Sequence, residues 1–260
     1  MNVGIIQGRL TYPSEGHQTT PINWQNEFIL SKNLGLTHVE WNIDNNKNET
    51  NNPIFFEKVV LDYIDMISSV CFDTVVDKKI FEEDFFVEKV YDSTEKLLNI
   101  GLSHVTLPIL EGACIDSEFK LKKIIEILRS YKSKFKDVEI SLEMDCEIHY
   151  TEKILNSVEC NLTYDTGNLT YKNIDHSLYI DTFLSKIKNV HLKDRLVSSG
   201  ASLSDFNGDT PFELIFEKLG DYKYKELFTL QMARKENLSE VELIQNYLEH
   251  FRGIYEKKYF

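Results

Sequence analysis

Short apolar runs rich in β-branched residues recur along the chain, and longer segments with apolar residues at helical spacing separate them. Eight runs are predicted as strands: Asn2 to Ile6, Thr37 to Asn42, Ser69 to Asp73, His104 to Pro108, Val138 to Glu143, Asn161 to Asp165, Lys188 to Lys193 and Leu227 to Met232. Helical spacing is found in Pro53 to Ser68, Phe85 to Asn99, Phe119 to Phe135, Leu178 to Ile187, Pro211 to Leu219 and Val241 to Tyr255. Because strands and helices alternate, the pattern predicts parallel strands joined by helical crossovers.

A repeated segment marks the junction between a helix and the next strand. The sequence NLGLTHV, which begins at Asn33, returns as NIGLSHV from Asn99, 66 residues later. In both copies a helix is predicted to end, a glycine (Gly35 or Gly101) to adopt the left-handed conformation, and an apolar strand to begin. The later strands are apolar throughout, which is expected when both faces of a parallel sheet are buried.

The number of units and the length of the chain together predict the fold class. Eight strand–helix units in 260 residues favour a single (β/α)8 TIM barrel domain over residues 1 to 260 rather than an open doubly wound sheet. Neither GxGxxG nor a phosphate-binding loop of the GxxxxGKS/T type follows any predicted strand, which argues against a nucleotide-binding sheet.

Composition narrows the expected partners and compartment. With 42 acidic against 29 basic residues the net charge is −13, so the summed field repels polyanions and we expect no binding to nucleic acid. No apolar run approaches the roughly 18 residues of a membrane helix, and the N-terminus lacks the features of a signal peptide, so we expect a cytoplasmic protein without membrane association. The four cysteines have no metal-binding spacing, which fits a reduced compartment.

In barrels of this class the reactive groups come from the C-terminal ends of the strands and from the loops that follow. Polar residues at these places are Gln7, Arg9, Glu40, Asp73, Glu111, Glu143, Asp145, Asp165, Asn168, His191, Lys193, Asp194, Arg195, Gln231 and Arg234. Of these, Glu143, Asp165 and His191 fall at corresponding depths on three consecutive strands, inside apolar runs where an unpaired charge is costly to bury. This ligand set suits Mn²⁺, Mg²⁺, Co²⁺ or Zn²⁺, and Gln231 offers an amide oxygen at the same level. The alternative is a set of solvated rim residues, helix caps and a structural histidine.

Several segments are similar in order and spacing to those of a known family. They are GIIQGRL at 4 to 10, GLTHVEW at 35 to 41, SVCFD at 69 to 73, LEMD at 142 to 145, YDTGN at 164 to 168, NVHLKDR at 189 to 195, GDTPFELIF at 208 to 216 and LQMAR at 230 to 234. In these segments the chain resembles, over nearly its whole length, the xylose-isomerase-like barrel superfamily and in particular its sugar phosphate isomerase/epimerase group. The resemblance implies a divalent metal bound by four side chains from strands five to eight, here Glu143, Asp165, His191 and Gln231.

Two positions depart from the family pattern. Well-characterised epimerases have a glutamate, both metal ligand and second acid/base, where this chain has Gln231, and many members have histidine in place of Asn168. An amide cannot exchange a proton near neutral pH, so the two-carboxylate scheme cannot be transferred unchanged. We expect Glu143 to be ligand and general base for a metal-stabilised enediolate, and Lys193 to replace the missing acid/base group. The alternative for Lys193 is a salt-bridged rim lysine.

Arg9, Arg195 and Arg234 follow predicted strands one, seven and eight, which adjoin in a closed barrel. Their clustering predicts an anionic group on the substrate, with the backbone around Gly208 as a further phosphate contact. The alternative is that these arginines neutralise carboxylates of the rim. Glu40 and Asn168 are the other expected substrate contacts.

The sequence therefore favours a metal-dependent isomerase or epimerase of a sugar, a sugar phosphate or another anionic sugar derivative. A homodimer is an expectation from the family resemblance. Two alternatives remain, a metal-dependent dehydratase of a keto-polyol or acid and a barrel that binds a metabolite without catalysis, which Gln231 motivates. DNA-repair barrels bind three zinc ions through many histidines, whereas His191 is the one histidine at a credible ligand position here.

Overall fold

The computed structural model describes residues 1–12, 20–44, 52–76, 79–235 and 237–259, although not the side chains of the last two of these. Its barrel strands are β1 (Asn2–Ile6), β2 (Val39–Ile43), β3 (Ile67–Phe72), β4 (His104–Ile109), β5 (Glu139–Met144), β6 (Asn161–Asp165), β7 (Ile187–Leu192) and β10 (Leu227–Leu230). They close in the order β1-β10-β7-β6-β5-β4-β3-β2, and every neighbouring pair is parallel. The predicted (β/α)8 barrel is confirmed. A short antiparallel hairpin, β8 (Asp194–Arg195) with β9 (Ser202–Leu203), follows β7 at the C-terminal end of the barrel.

Helices surround the barrel. They are α1 (Trp24–Asn33), α2 (Glu83–Phe85), α3 (Asp92–Asn99), α4 (Glu118–Lys134), α5 (Ile148–Ser157), α6 (Thr166–Tyr171), α7 (His176–Phe183), α8 (Phe212–Asp221) and α9 (Glu240–Tyr259). A π-helical turn, Phe86–Tyr91, joins α2 to α3, so the predicted helix at Phe85 to Asn99 is confirmed as one helical segment. The helices predicted around α4, α7, α8 and α9 are also confirmed, with shifted ends. Within the described part of the chain, every helix is too short or too polar to span a lipid bilayer.

The α-helix predicted at Pro53 to Ser68 is wrong. The chain forms 3₁₀ turns at Pro53–Phe55 and Lys58–Met66, and β3 begins at Ile67. Val60 is buried, and Tyr63, Ile64 and Met66 are partly buried. A 3₁₀ helix has three residues per turn, so Val60, Tyr63 and Met66 lie on one face of this segment.

The two copies of the repeated segment end helices as expected. Gly35 follows α1 with φ +69°, and Gly101 follows α3 with φ +91°. The N–H groups of Leu34 and Gly35 bond to the carbonyls of Leu30 and Lys32, which satisfies the last turn of α1. At the other end of a helix, Ser239 and Glu242 exchange side-chain to backbone hydrogen bonds ahead of α9 in a capping box.

The barrel interior is not entirely apolar. The ring of His38 on the chain entering β2 is buried between β1 and β10, with Nδ1 2.9 Å from Thr37 Oγ1 and Nε2 3.0 Å from Thr229 Oγ1. A Cβ on Gly4 would lie 2.2 Å from this ring, so glycine is required there to make room for the imidazole. A polar layer therefore lies below the C-terminal end of the barrel.

Candidate metal centre

Glu143, Asp165 and His191 converge at the C-terminal ends of β5, β6 and β7. Asp165 and His191 are direct partners in the sheet register, and Glu143 pairs with Thr163 on the same intervening strand. All three side chains are buried, and each offers one ligand atom such that these atoms lie within 4.8 Å of one another. The structure thus brings the predicted trio together in a space of the size that one metal ion needs.

The imidazole of His191 has one occupied and one open nitrogen. Nε2 lies 2.5 Å from Glu40 Oε2, whereas Nδ1 lies 3.6 Å from Glu143 Oε2 and has no hydrogen-bond partner. Burial alone would lower the pKa of His191, but the charge and hydrogen bond of Glu40, with the charges of Glu143 and Asp165, raise it above its usual value. In the neutral form that a metal ligand requires, a proton on Nε2 leaves the Nδ1 lone pair facing the two carboxylates.

One carboxylate oxygen of Asp165 has a hydrogen-bond partner and the other has none. Its Oδ1 accepts a 2.6 Å hydrogen bond from the backbone N–H of Asn168 and so caps α6, which begins at the next residue. Its Oδ2 is buried without a hydrogen-bond partner, and the Nζ of Lys193 lies 3.6 Å away. The cap fixes the carboxylate so that the free oxygen faces the cluster.

Glu143 is held by Asn168, whose Nδ2 donates a 2.8 Å hydrogen bond to Oε1. Burial raises the pKa of Glu143, the nearby charges of His191 and Lys193 act against this, and Asp165 adds to it. Metal coordination requires the ionised carboxylate, so a bound cation would replace the proton that burial favours.

Gln231 lies just beyond β10, the strand next to β7 in the barrel. It is 5% exposed, its backbone N–H bonds to the carbonyl of Leu192, and its side-chain Oε1 is buried without a partner. Gln231 Oε1, Asp165 Oδ2 and His191 Nδ1 are thus three buried atoms without hydrogen-bond partners. Buried acceptors without partners are costly, and oxygen and imidazole lone pairs of this kind fit a divalent cation such as Mn²⁺, Mg²⁺, Co²⁺ or Zn²⁺.

A polar cavity of about 700 Å³ opens above this cluster. Its lining residues are Ile6, Cys71, Asp73, Val76, Leu110, Glu111, Glu143, Asp145, Asn168, Tyr171, Lys172, Lys193, Arg195, Ser202 and Gln231. Tyr171, Lys172 and Ser202 were not anticipated from the sequence, because they lie on α6, at its end and on the β8–β9 hairpin rather than at barrel-strand ends. Burial raises the pKa of Asp73 to about 6, against the opposing effect of Lys193.

The structure does not bring the three expected arginines together at the cavity, because Arg9 and Arg234 are not among the residues that line it. Arg234 forms an ion pair with Glu240 at 2.9 Å and donates hydrogen bonds to the carbonyls of Gly8 and Thr11. Its guanidinium also lies over the ring of Tyr12. Arg234 therefore connects the segment after β10 to the loop after β1. Arg9 lies beside it, outside the set of cavity-lining residues, and burial together with the charge of Arg234 lowers its pKa to about 10.

Of Arg9, Arg195 and Arg234, Arg195 is the one that lines the cavity. Its Nε donates to the carbonyl of Gly200 at 2.7 Å, one terminal nitrogen donates to Asn168 Oδ1 at 2.7 Å, and the guanidinium stacks on Tyr171. Arg195 thereby holds Asn168, which in turn holds Glu143.

Two further expectations for substrate binding need correction. The amides near Gly208 are already used, because the N–H groups of Gly208 and Thr210 donate to the carboxylate of Asp194. Glu40 is 0% exposed and lies below the cavity, where both of its oxygens accept hydrogen bonds from protein side chains. Alternation along β2 turns Glu40 to the barrel interior, which rim position in the sequence did not reveal.

Comparison with known proteins shows the fold. No protein-family model matches the sequence, and no curated protein matches it by sequence. Among solved structures, L-ribulose 3-epimerase is 14% identical with a TM-score of 0.73, covering 98% of this chain and 95% of that one. The IolI protein with a bound zinc atom is 13% identical with a TM-score of 0.72, covering 99% of both chains.

A third solved structure has a different activity in its name. The probable 3-DHS dehydratase AsbF of Bacillus anthracis is 11% identical with a TM-score of 0.68, covering 96% of this chain and 99% of that one. These likenesses extend over nearly the full length of each chain. The chain has the fold of the xylose-isomerase-like barrels and the sugar isomerases and epimerases among them, as the sequence resemblance predicted.

Proposed function

We propose that the protein is a metal-dependent isomerase or epimerase of a sugar that acts through an enediolate. The observation that carries the proposal is the convergence of Glu143, Asp165 and His191, with buried atoms that have no hydrogen-bond partners on Asp165, His191 and Gln231, beside a polar cavity that Glu143 and Gln231 line. When bound there, a divalent cation supplies Lewis-acid stabilisation of the negative charge that develops as a proton leaves the carbon next to a carbonyl.

Glu143 is the general base in this proposal. Its carboxylate lines the cavity, and the hydrogen bond from Asn168 to Oε1 fixes its orientation. Arg195 fixes Asn168 in turn, so the base is held through two successive hydrogen bonds. A fixed base spares the reaction the entropy of positioning a catalytic group.

Lys193 is the proposed second proton-transfer group, because the amide of Gln231 cannot carry a proton between atoms. Its Nζ lies in the cavity wall 3.6 Å from Asp165 Oδ2, close to the ligand cluster. Lys193 follows β7 and Asp73 follows β3, two strands on opposite sides of the closed barrel. A substrate in the cavity would therefore lie between an ammonium group and a carboxyl group.

The substrate class is a small polyhydroxylated ketone or aldehyde. A cavity of about 700 Å³ accommodates a monosaccharide or its phosphate, and its walls carry hydrogen-bonding groups on all sides. Lys172, Lys193 and Arg195 lie on the side of β6 and β7, so an anionic group on the sugar would be placed there.

A dehydratase is the second candidate, and the structural likeness to the dehydratase AsbF favours it over other reactions. Dehydration of a keto-polyol needs the same base and the same enolate but ends with loss of a hydroxyl group. The two reactions differ in product rather than in the first proton transfer.

The test is solvent deuterium incorporation. The protein is loaded with Mn²⁺ in D2O and incubated with ketoses such as L-ribulose and D-tagatose and with their phosphates, and exchange next to the carbonyl is followed by proton NMR. We expect exchange that a chelator stops and that E143Q abolishes, while E139Q, at an exposed glutamate of the same strand, exchanges normally. An enone absorbance instead of exchange identifies the dehydratase, and metal binding without either reaction overturns both.

A further inference from the structure

Glu40 is a fully buried carboxylate directly below the ligand cluster. Its Oε1 accepts 2.8 Å hydrogen bonds from the hydroxyls of Ser69 and Thr106. Its Oε2 lies 2.5 Å from Nε2 of His191 and 3.4 Å from Nδ2 of Asn189. Because an ionised carboxylate is expensive to bury, four converging donors from β3, β4 and β7 indicate that the charge is retained for a purpose.

The contact with His191 decides which imidazole nitrogen is free. A proton on Nε2 donates to Glu40, so the lone pair of neutral His191 is on Nδ1, the nitrogen without a partner. That nitrogen is the one that faces Glu143, 3.6 Å from its Oε2. A carboxylate behind a ligating histidine fixes the ring, selects the tautomer and raises the basicity of the ligand nitrogen.

The charges of the ligand set give Glu40 a second role. Glu143 and Asp165 bring two negative charges, and Gln231 brings none. The other donors to Glu40 are two hydroxyls and an amide, which are neutral. His191 is therefore the donor through which the negative charge of Glu40 acts on the metal ligands. Glu40 is a third carboxylate one hydrogen bond away from the metal ligands.

We propose that Glu40 is a positioning residue of the metal centre, which sets the tautomer of His191 and supplies, from behind it, the negative charge that Gln231 does not provide. The proposal rests on the metal site of the proposed function. It assigns Glu40 to the metal and not to the substrate.

The experiment measures Mn²⁺ affinity by calorimetry and by the electron paramagnetic resonance signal of free Mn²⁺, with no substrate present. E40Q is expected to weaken binding about 10- to 100-fold, as the loss of an outer partner does in other metal sites. S69A removes a neutral donor to the same carboxylate and is expected to change affinity less than about threefold. The double variant E40Q/Q231E returns the charge to the ligand set and is expected to recover affinity to within about threefold of the parent.

The outcomes separate this inference from the proposed function. If E40Q binds Mn²⁺ as the parent does, or if Q231E fails to restore affinity, the role of Glu40 is wrong while the metal site stands. If the parent itself does not bind Mn²⁺ or Zn²⁺, the metal site fails and the inference fails with it.

A measurement on the unmodified protein keeps the inference testable if E40Q does not fold. In the Zn²⁺-loaded, ¹⁵N-histidine-labelled protein, we expect the His191 resonances of an imidazole protonated on Nε2 and metal-bound through Nδ1. Coordination through Nε2 would overturn the proposal, because that nitrogen could not then donate to Glu40.

Discussion

Glu27 on α1 and Glu143 on β5 are both buried glutamates near the C-terminal end of the barrel, 0% and 3% exposed. The carboxylate of Glu27 accepts hydrogen bonds from the backbone N–H groups of Arg9, Leu10 and Thr11, and from the Thr11 hydroxyl. The carboxylate of Glu143 accepts one, from Asn168, and lies among acceptors that have none.

The contrast separates a structural carboxylate from the carboxylate of a candidate metal ligand. Four donors surround Glu27, so its carboxylate is satisfied without any further group. In the same part of the molecule as Glu143, Asp165 Oδ2 and Gln231 Oε1 are acceptors without partners, and so is His191 Nδ1 when the ring is neutral, so a cation or a set of donors would complete them. The chemistry of the neighbours, rather than burial, distinguishes the two sites.

The largest expected effect is the loss of metal binding in E143Q. Removing one anionic ligand should weaken Mn²⁺ binding by at least about 100-fold, above the range for outer partners. The free energy of unfolding without metal should not fall, because burial favours the protonated, uncharged carboxyl group, which the amide matches in size and charge. Calorimetric titration and urea unfolding measure the two quantities. A destabilised E143Q with normal Mn²⁺ affinity would reverse the assignment of the two glutamates.

E27Q is the converse experiment. An amide can accept from Arg9 and Leu10 but presents N–H donors to the N–H of Thr11, so we expect a loss of about 2 kcal/mol in the free energy of unfolding. Mn²⁺ affinity, measured in the same titration, should stay within about threefold of the parent. Weakened Mn²⁺ binding in a normally stable E27Q would show that the loop after β1 belongs to the metal centre.

The last prediction concerns pH and a histidine whose two ring nitrogens both have hydrogen-bond partners. His176 lies 2.5 Å from the hydroxyl of Tyr164 and 3.0 Å from that of Thr170, and burial lowers its pKa to about 4. At His176 the folded chain therefore binds fewer protons than the unfolded chain between about pH 4 and pH 6.5, so the contribution of His176 to stability falls as the pH falls through this window. In H176Q this dependence should be smaller by up to about 1.4 kcal/mol per pH unit.

Urea unfolding at several pH values measures this dependence. H149Q, at a half-exposed histidine of α5, is the matched control for replacing a histidine by glutamine outside the core. An unchanged slope in H176Q would contradict the assignment of His176 as a neutral, enclosed histidine.

The barrel and the ligand trio were predictable because their signals are periodic. Buried strands give apolar runs, and Glu143, Asp165 and His191 interrupt three of them at the same depth. The trio therefore needed no knowledge of side-chain direction beyond the strand register.

The features that sequence reasoning missed depend on the direction of side chains and on local hydrogen bonds and ion pairs. Only the end of α1 was predicted, from the segment around Gly35, because the buried face of this helix includes Glu27 and Ser31 beside Trp24 and Phe28, which hides the apolar spacing. Glu40 was expected at the substrate because it stands near a strand end, yet its side chain turns to the barrel interior. Arg234 was expected at the cavity because chain order places it on the rim, but Glu240 and two carbonyls of the β1 loop hold it elsewhere.

The absence of a side chain at Gly4 leaves space for the ring of His38, on the chain entering β2. Any larger residue at position 4 displaces the ring of His38, which contacts Thr229, and Thr229 donates to Asn189, a donor to Glu40. A mutation at the first strand can therefore reach the metal centre without touching it. Positions 4 and 38 should accordingly vary as a pair, with a larger residue at one accepted only beside a smaller residue at the other.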